Sequence, residues 1–177
     1  MLISLITLIV SLIVAFKIIQ WQTKKASPED TVIFKKNDLR LEVFYNRPSK
    51  RNRVIFGGLV PYSKVWRTGA NEATTFETNK DLFIAGKTLK AGKYTLWTIP
   101  EENYWLVIFN HKMYPWGVNR DEIAQREPDY DVLQVKALIE PQVAATEMFT
   151  IRLEDNPTTA ISFTWDKTRV AVPYSVK

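Results

Sequence analysis

The sequence predicts an all-β protein, an antiparallel β-sandwich or barrel-like domain preceded by one N-terminal transmembrane helix. Three observations carry this. Short apolar runs alternate with polar residues at period two through most of the chain. Turn-forming pairs such as Gly57-Gly58 and Gly86-Lys87 punctuate those runs. The stretch from Leu2 to Ile19, by contrast, is apolar on every side of a helix, with no alternation and no amphipathic stripe.

That first stretch reads LISLITLIVSLIVAFKII. About 18 residues at about 1.5 Å each span roughly 27 Å, close to the thickness of a hydrocarbon core. Lys17 can reach the lipid–water boundary along its aliphatic stem, and Trp21 suits that boundary as an anchor. A cleaved leader needs a small-x-small site, which the residues from Lys17 to Lys25 lack, and a lipoprotein leader needs a cysteine, of which there is none. An uncleaved single-span anchor with its flank is therefore expected over residues 1–25, a polar linker over 26–30, and a β-rich domain over 31–177. Lys17, Lys24 and Lys25 follow the span and only the Met1 amino group precedes it. Taken alone, that asymmetry puts the domain in the cytoplasm.

Past the linker Ala26-Ser27-Pro28-Glu29-Asp30, the elements follow in order. Leu39, Leu41, Val43 and Tyr45 alternate with polar or bulky neighbours and form a strand. Val54 to Phe56 reads as a short strand ending at Gly57-Gly58, and Thr74 to Thr78 as another around Phe76. Leu82 to Ala85 and Thr88 to Leu89 flank Gly86-Lys87 as a hairpin. Lys93 to Ile99, stopped by Pro100, pairs with Tyr104 to Phe109 across Glu101-Glu102-Asn103. The arms Val132 to Ile139, Met148 to Leu153, Ile161 to Trp165 and Arg169 to Val172 complete about ten strands, the spacing of a sandwich or barrel. A short helix is expected near Arg120 to Gln125.

Composition narrows the function classes. Of 177 residues, 46% are hydrophobic and 24% charged, which is the balance of a folded chain, not a disordered one. The absence of cysteine removes disulfides and zinc–thiolate sites, and a single histidine, His111, cannot build a multi-histidine metal site. Asp129 and Asp131 would share one face of an extended strand, where two carboxylates can hold a hard cation or simply face water. The expectation is no metal and no cofactor. The net charge is +5, with much of the excess between Lys17 and Arg53. It is read as attraction to anionic membrane lipid. No nucleic-acid partner is expected, because no helix-turn-helix, zinc-finger or RNA-binding signature accompanies the charge.

The polar run Arg67-Thr68-Gly69-Ala70-Asn71-Glu72-Ala73-Thr74 stands out among apolar strands. In a binding reading, the Arg67 guanidinium takes an anionic or carbonyl group and Asn71 and Glu72 orient it. In a structural reading, Arg67 and Glu72 pair across a turn that Gly69 permits, and Asn71 bonds nearby backbone. His111 and Trp116 join the candidate ligand-binding residues, His111 as a titratable group at a turn and Trp116 as an aromatic surface. Tyr62, Trp66, Trp97, Tyr104, Trp105 and Tyr114 serve either such a platform or core packing. Residues with a catalytic role are not assigned.

Several of these stretches together resemble a bacterial family, the domain of unknown function 2911. The resemblance is carried by Arg53 to Tyr62 (RVIFGGLVPY), Lys64 to Thr74 (KVWRTGANEAT), Ala91 to Leu96 (AGKYTL), Thr98-Ile99-Pro100, Trp105 to Asn110 (WLVIFN), Trp116-Gly117 and Trp165 to Thr168 (WDKT). It implies no catalytic residue. It does imply a domain held outside the cytoplasm, since similar proteins begin with a signal peptide or a basic cluster before an anchor. A periplasm-facing, single-pass membrane protein is accordingly expected, although no basic cluster precedes Leu2. The leading functional expectation is a non-enzymatic binding module of the cell envelope, taking a small ligand, glycan or peptide. The alternatives are an envelope assembly or structural protein, and a hydrolase-like enzyme using Glu72 or His111.

Overall fold

A single antiparallel sheet of nine strands organises the chain in a computed structural model, which describes residues 9, 11, 14, 17, 18 and 21–177. The strands are β1 (Glu29–Lys36), β2 (Leu39–Asn46), β3 (Thr75–Thr78), β4 (Leu82–Ile84), β5 (Lys87–Leu89), β6 (Gly92–Pro100), β7 (Tyr104–Asn110), β8 (Asp131–Glu154) and β9 (Ala160–Val176). Their order across the sheet is β1-β2-β3-β6-β7-β8-β9-β4-β5, so the sheet is open, with β1 and β5 at its edges. The all-β antiparallel expectation holds, but the sheet does not close into a barrel. The anchor expected over Leu2 to Ile19 falls largely outside the described residues. Among the described residues no helix is long and apolar enough to cross a membrane.

Alternation sets the faces. In β2, Leu41, Val43 and Tyr45 are fully buried while Arg40, Glu42 and Phe44 lie half-buried on the other side. β6 and β7 are buried on both faces. Leu96, Trp105, Val107 and Phe109 enter the main core, and Trp97 and Ile108 form a second cluster with Ala73 and Tyr114 under the chain that follows β7. This is why β7 reads as a nearly continuous apolar run instead of an alternating one. β8 pairs with β7 through its first part and with β9 through its remainder, with register shifts between Pro141 and Thr146 and again before Thr150. Such irregularities bend a strand and re-aim its side chains. Beyond the bend, β8 faces β2 across the core. The Tyr45 hydroxyl accepts the Ile151 N–H at 3.0 Å, and the Tyr45 and Phe149 rings meet edge-on at 5.8 Å.

Several local expectations are corrected. The arms Val132 to Ile139 and Met148 to Leu153 belong to one 24-residue strand, and Ile161 to Trp165 and Arg169 to Val172 to one 17-residue strand. Bulges break the pairing pattern in sequence without ending the strand. Val54 to Phe56 is a tight loop, not a strand: Val60 and Gly58 both donate backbone N–H groups to the Ile55 carbonyl, at 2.8 and 3.3 Å, leaving Val54 exposed and Ile55 buried. Arg120 to Gln125 is not helical, because Asn119 Oδ1 accepts the N–H groups of Asp121 and Ile123, at 2.9 Å each, and curls the chain into a loop closed by a Val118–Ala124 bridge. Asp129 lies in a 3-10 turn (Pro128–Tyr130) instead of on a strand beside Asp131. The hairpin between β4 and β5 forms one residue earlier than read, with φ of 49° at Ala85 and 81° at Gly86, the left-handed pair of a tight two-residue turn. The sheet also gains β1, which begins at Glu29, inside the stretch read as linker.

Candidate functional site

Trp66 fixes the polar run to the sheet. Its N–H donates to the Thr98 carbonyl at 2.7 Å and its carbonyl accepts the Thr98 N–H at 3.0 Å, so this stretch lies along β6 as a short extra pairing. The indole N–H donates to the Gly69 carbonyl at 3.0 Å. Between Trp66 and β3 the chain turns twice, with φ of 56° at Thr68 and 55° at Asn71. A β-branched residue in that region is strained, and Thr68 is also fully buried. It is held by a hydroxyl contact to Thr98 Oγ1 at 3.2 Å, and its carbonyl accepts the Thr74 hydroxyl at 2.8 Å. Gly69 is needed for close approach: a Cβ there would sit 2.8 Å from the Asn46 carbonyl oxygen.

The two turns send Arg67 one way and Asn71 with Glu72 another. Asn71 Nδ2 donates to Asn46 Oδ1 at 3.2 Å and to the Ser27 carbonyl at 3.4 Å. Asn46 Nδ2 in turn donates to Glu72 Oε2 at 3.1 Å, and Lys24 bridges Glu72 at 2.9 Å and also engages Glu29. Burial raises the Glu72 pKa, but Lys24, its own backbone amide and Asn46 outweigh that and hold it below the ordinary value. The expected Arg67–Glu72 pair is therefore overturned: Glu72 is taken by Lys24 and Asn46, partners distant in sequence that a local reading of the turn does not supply.

Arg67 lines a cavity of about 390 Å³ whose walls include Arg51, Arg53, Lys64, Glu122 and Trp165. Its Nε is buried and has no hydrogen-bond partner, and burial lowers its pKa, with Glu122 opposing that shift. The stem of Arg67 is packed on Gly117, where a Cβ would come within 2.5 Å of Arg67 Cβ and Cδ. Beneath, the Trp66 and Trp165 rings stack at 5.9 Å and 17°. The side chain of Arg51 donates to the Ala26 carbonyl at 3.4 Å, and that of Arg53 to the carbonyls of Lys50 and Ser49 at 3.0 and 2.6 Å. Carbonyls position a guanidinium without cancelling its charge. Among the described residues none of Arg51, Arg53, Lys64 and Arg67 is in an ion pair.

The structure thus brings Arg67, Asn71, Glu72 and the Trp116-Gly117 bend into one neighbourhood, tied by the Gly117 N–H donating to the Asn71 carbonyl at 3.3 Å. Only Arg67 of the candidate residues lines the cavity; Trp116 is half-buried beside Gly117. His111 stands elsewhere, exposed, with its ring edge-on to Tyr130 at 5.2 Å. Of the aromatics weighed as a platform, Trp97 and Trp105 are fully buried in the core, while Trp66 lines the cavity. Asp131 is committed to Arg126, which donates Nε at 3.1 Å and also engages it through Nη2, and to Asn110 at 2.9 Å. Among the described residues no group of three His, Cys, Asp or Glu side chains is placed to hold a metal ion.

Arg51, Arg53, Lys64 and Glu122 were not singled out as site residues in the sequence. They sit on loops, where periodicity carries no information, and the signal available was the basic run from Arg47 to Arg53, read there as lipid attraction.

No curated protein and no solved structure matches the chain. A family model described as protein of unknown function (DUF2911) matches residues 27–174, from the Ser27 carbonyl that receives Asn71 to Tyr174 near the end of β9. With that span covering all of the sheet except the last two residues of β9, and the whole polar run that lines the cavity, the chain belongs to the DUF2911 family of proteins of unknown function.

Proposed function

We propose that this protein is a non-enzymatic binding module, tethered to the bacterial envelope membrane by its N-terminal segment, whose ligand carries an anionic group into the Arg67 cavity. The observation that carries the reading is Arg67 Nε, buried without a hydrogen-bond partner on a guanidinium that is in no ion pair among the described residues. A buried donor left without a partner costs roughly 1–3 kcal/mol, and more when charged. A ligand oxyanion that accepts from Arg67 Nε would remove that cost. Three further cations share the cavity, with Glu122 as the one carboxylate in its wall. The strained Thr68 directly after Arg67 adds to the case, since backbone strain collects where a side chain must be held for a task. Asn71 and Glu72 then act by holding the loop that presents Arg67, not by touching the ligand. The catalytic alternative is weaker: a general base works best with a pKa near the operating pH, and Glu72 is shifted the other way.

The test is a thermal melt of the full-length chain in neutral detergent, with acetate, sulfate, phosphate or glucuronate against chloride at matched ionic strength. At least one anion is expected to raise the midpoint by several degrees in the native chain, and Arg67→Gln is expected to abolish the rise. A midpoint indifferent to every anion, or a rise that survives Arg67→Gln, contradicts the reading.

A further inference from the structure

The cavity lies where the chain enters the sheet. Ala26 and Ser27, at and directly after the end of helical residues 21–26, form part of its wall, and so do the apolar side chains of Leu59, Val60 and Pro61. Its charges are unequal, with four cations and one carboxylate, a difference of 4 − 1 = +3. A carboxylate ligand cancels one unit of that excess. A phosphate monoester carries about −1.5 to −2 at neutral pH and offers three acceptor oxygens. Arginine forks suit tetrahedral oxyanions by paired donation; Arg67 keeps its Nε without a partner, while Arg51 and Arg53, whose side chains donate to backbone carbonyls, add charge from two other loop positions. Glu122 is exposed at the rim, on the loop closed by the Val118–Ala124 bridge, with a left-handed φ of 60°. Its charge opposes the lowering of the Arg67 pKa by burial.

Resting on the anion-binding reading above, we propose that the ligand is a phosphate monoester attached to an apolar body, and that Glu122 is the charge it must outcompete. The phosphate group meets Arg67 and its neighbouring cations. The apolar body lies along Leu59, Val60 and Pro61 above the stacked Trp66 and Trp165. Two sources share this chemistry, a membrane lipid with a terminal phosphate and a soluble phosphoester.

Calorimetric titration of the full-length chain in neutral detergent decides it, with dihexanoyl phosphatidic acid, glycerol phosphate and acetate as probes at matched ionic strength. Both phosphate esters are expected to bind at least about tenfold more tightly than acetate, the worth of one added charge-assisted hydrogen bond. Arg67→Gln should weaken phosphate binding by about tenfold or more, for the same reason. Lys64→Gln, at an exposed residue whose loss leaves the fold intact, should weaken it by a smaller factor, and Glu122→Gln should strengthen it. Tighter binding of the lipid than of glycerol phosphate supports the apolar body and assigns the lipid source; equal or weaker binding of the lipid overturns the apolar body and leaves a soluble phosphate ester as the ligand. Acetate binding as tightly as the esters overturns the phosphate assignment while leaving the anion-binding reading in place. The absence of binding by any probe removes both. Weaker phosphate binding in Glu122→Gln overturns the competing role of Glu122.

Discussion

Three buried side-chain polar atoms lack a partner among the described residues: Arg67 Nε, Trp105 Nε1 and Tyr174 Oη. They differ in what surrounds them. Trp105 is packed in the main core, where its ring contributes most of its worth as buried area and the lone N–H is a local loss. The Tyr174 hydroxyl is pushed up to about 12 by burial and then by the Asp155 charge. An acid whose folded pKa is raised contributes stability that is complete below its unfolded value, about 10, and is lost as pH rises toward about 12. Tyr174→Phe removes both the orphaned hydroxyl and this dependence. It is expected to melt at the same temperature as the native chain or higher at pH 7, and to lose less stability between pH 9 and pH 11. A lower midpoint at pH 7 would mean that the hydroxyl has a partner. Arg67 is the third case and the odd one: Tyr174 also lines a cavity, but Arg67 alone of the three carries a charge.

At the scale of elements, the loop between Trp66 and β3 is a strap, and Asn46 is its buckle. Asn46 is fully buried at the end of β2 and joins Asn71 to Glu72. Asn46→Ala leaves both of those groups short of a partner, so a loss of roughly 1–3 kcal/mol is expected in denaturant unfolding. The same substitution should also weaken anion binding, because the strap that aims Arg67 is loosened. Unchanged stability would show that the strap is held by Trp66 alone. This division was only partly legible in the sequence. Period-two alternation located β2 and β3, while β6 and β7, buried on both faces, were marked by Pro100 and the polar turn Glu101-Glu102-Asn103 between them. It failed at Pro141 to Thr146, where a bulge interrupts β8 without ending it, and at Val54 to Phe56, where an apolar triplet serves a turn. Within the strap, residue types announced a special loop, but pairing was decided by Lys24 and Asn46, far away in the chain. No local pattern encodes such partners. The role of Gly117 was hidden for the same reason: its value lies in leaving room for the stem of Arg67.

At the scale of the whole molecule, the sheet and the N-terminal segment meet at the cavity. Lys24 ties the helical residues 21–26 to Glu29 on β1 and to Glu72 on the strap, so the entry into the sheet and the Arg67 loop form one mechanical unit. A ligand at the cavity therefore sits beside the proposed tether. The orientation follows as a prediction. A fusion of alkaline phosphatase after Lys177 is expected to be active in intact cells, since that enzyme matures only outside the cytoplasm. An inactive fusion would place the domain on the inner side and return the weight to Lys17, Lys24 and Lys25 as inside markers.

The claim on which the rest depends is that Arg67 is kept for a ligand and not for the fold. Urea unfolding of the full-length chain, native against Arg67→Met, tests it most directly. Methionine keeps the stem on Gly117 and removes the half-buried charge, whose lowered pKa means that folding disfavours its charged form at neutral pH. The account predicts that Arg67→Met is as stable as the native chain or more so, by up to about 1–3 kcal/mol. Destabilisation of that size in Arg67→Met would contradict it, because it would show that the guanidinium holds the loop.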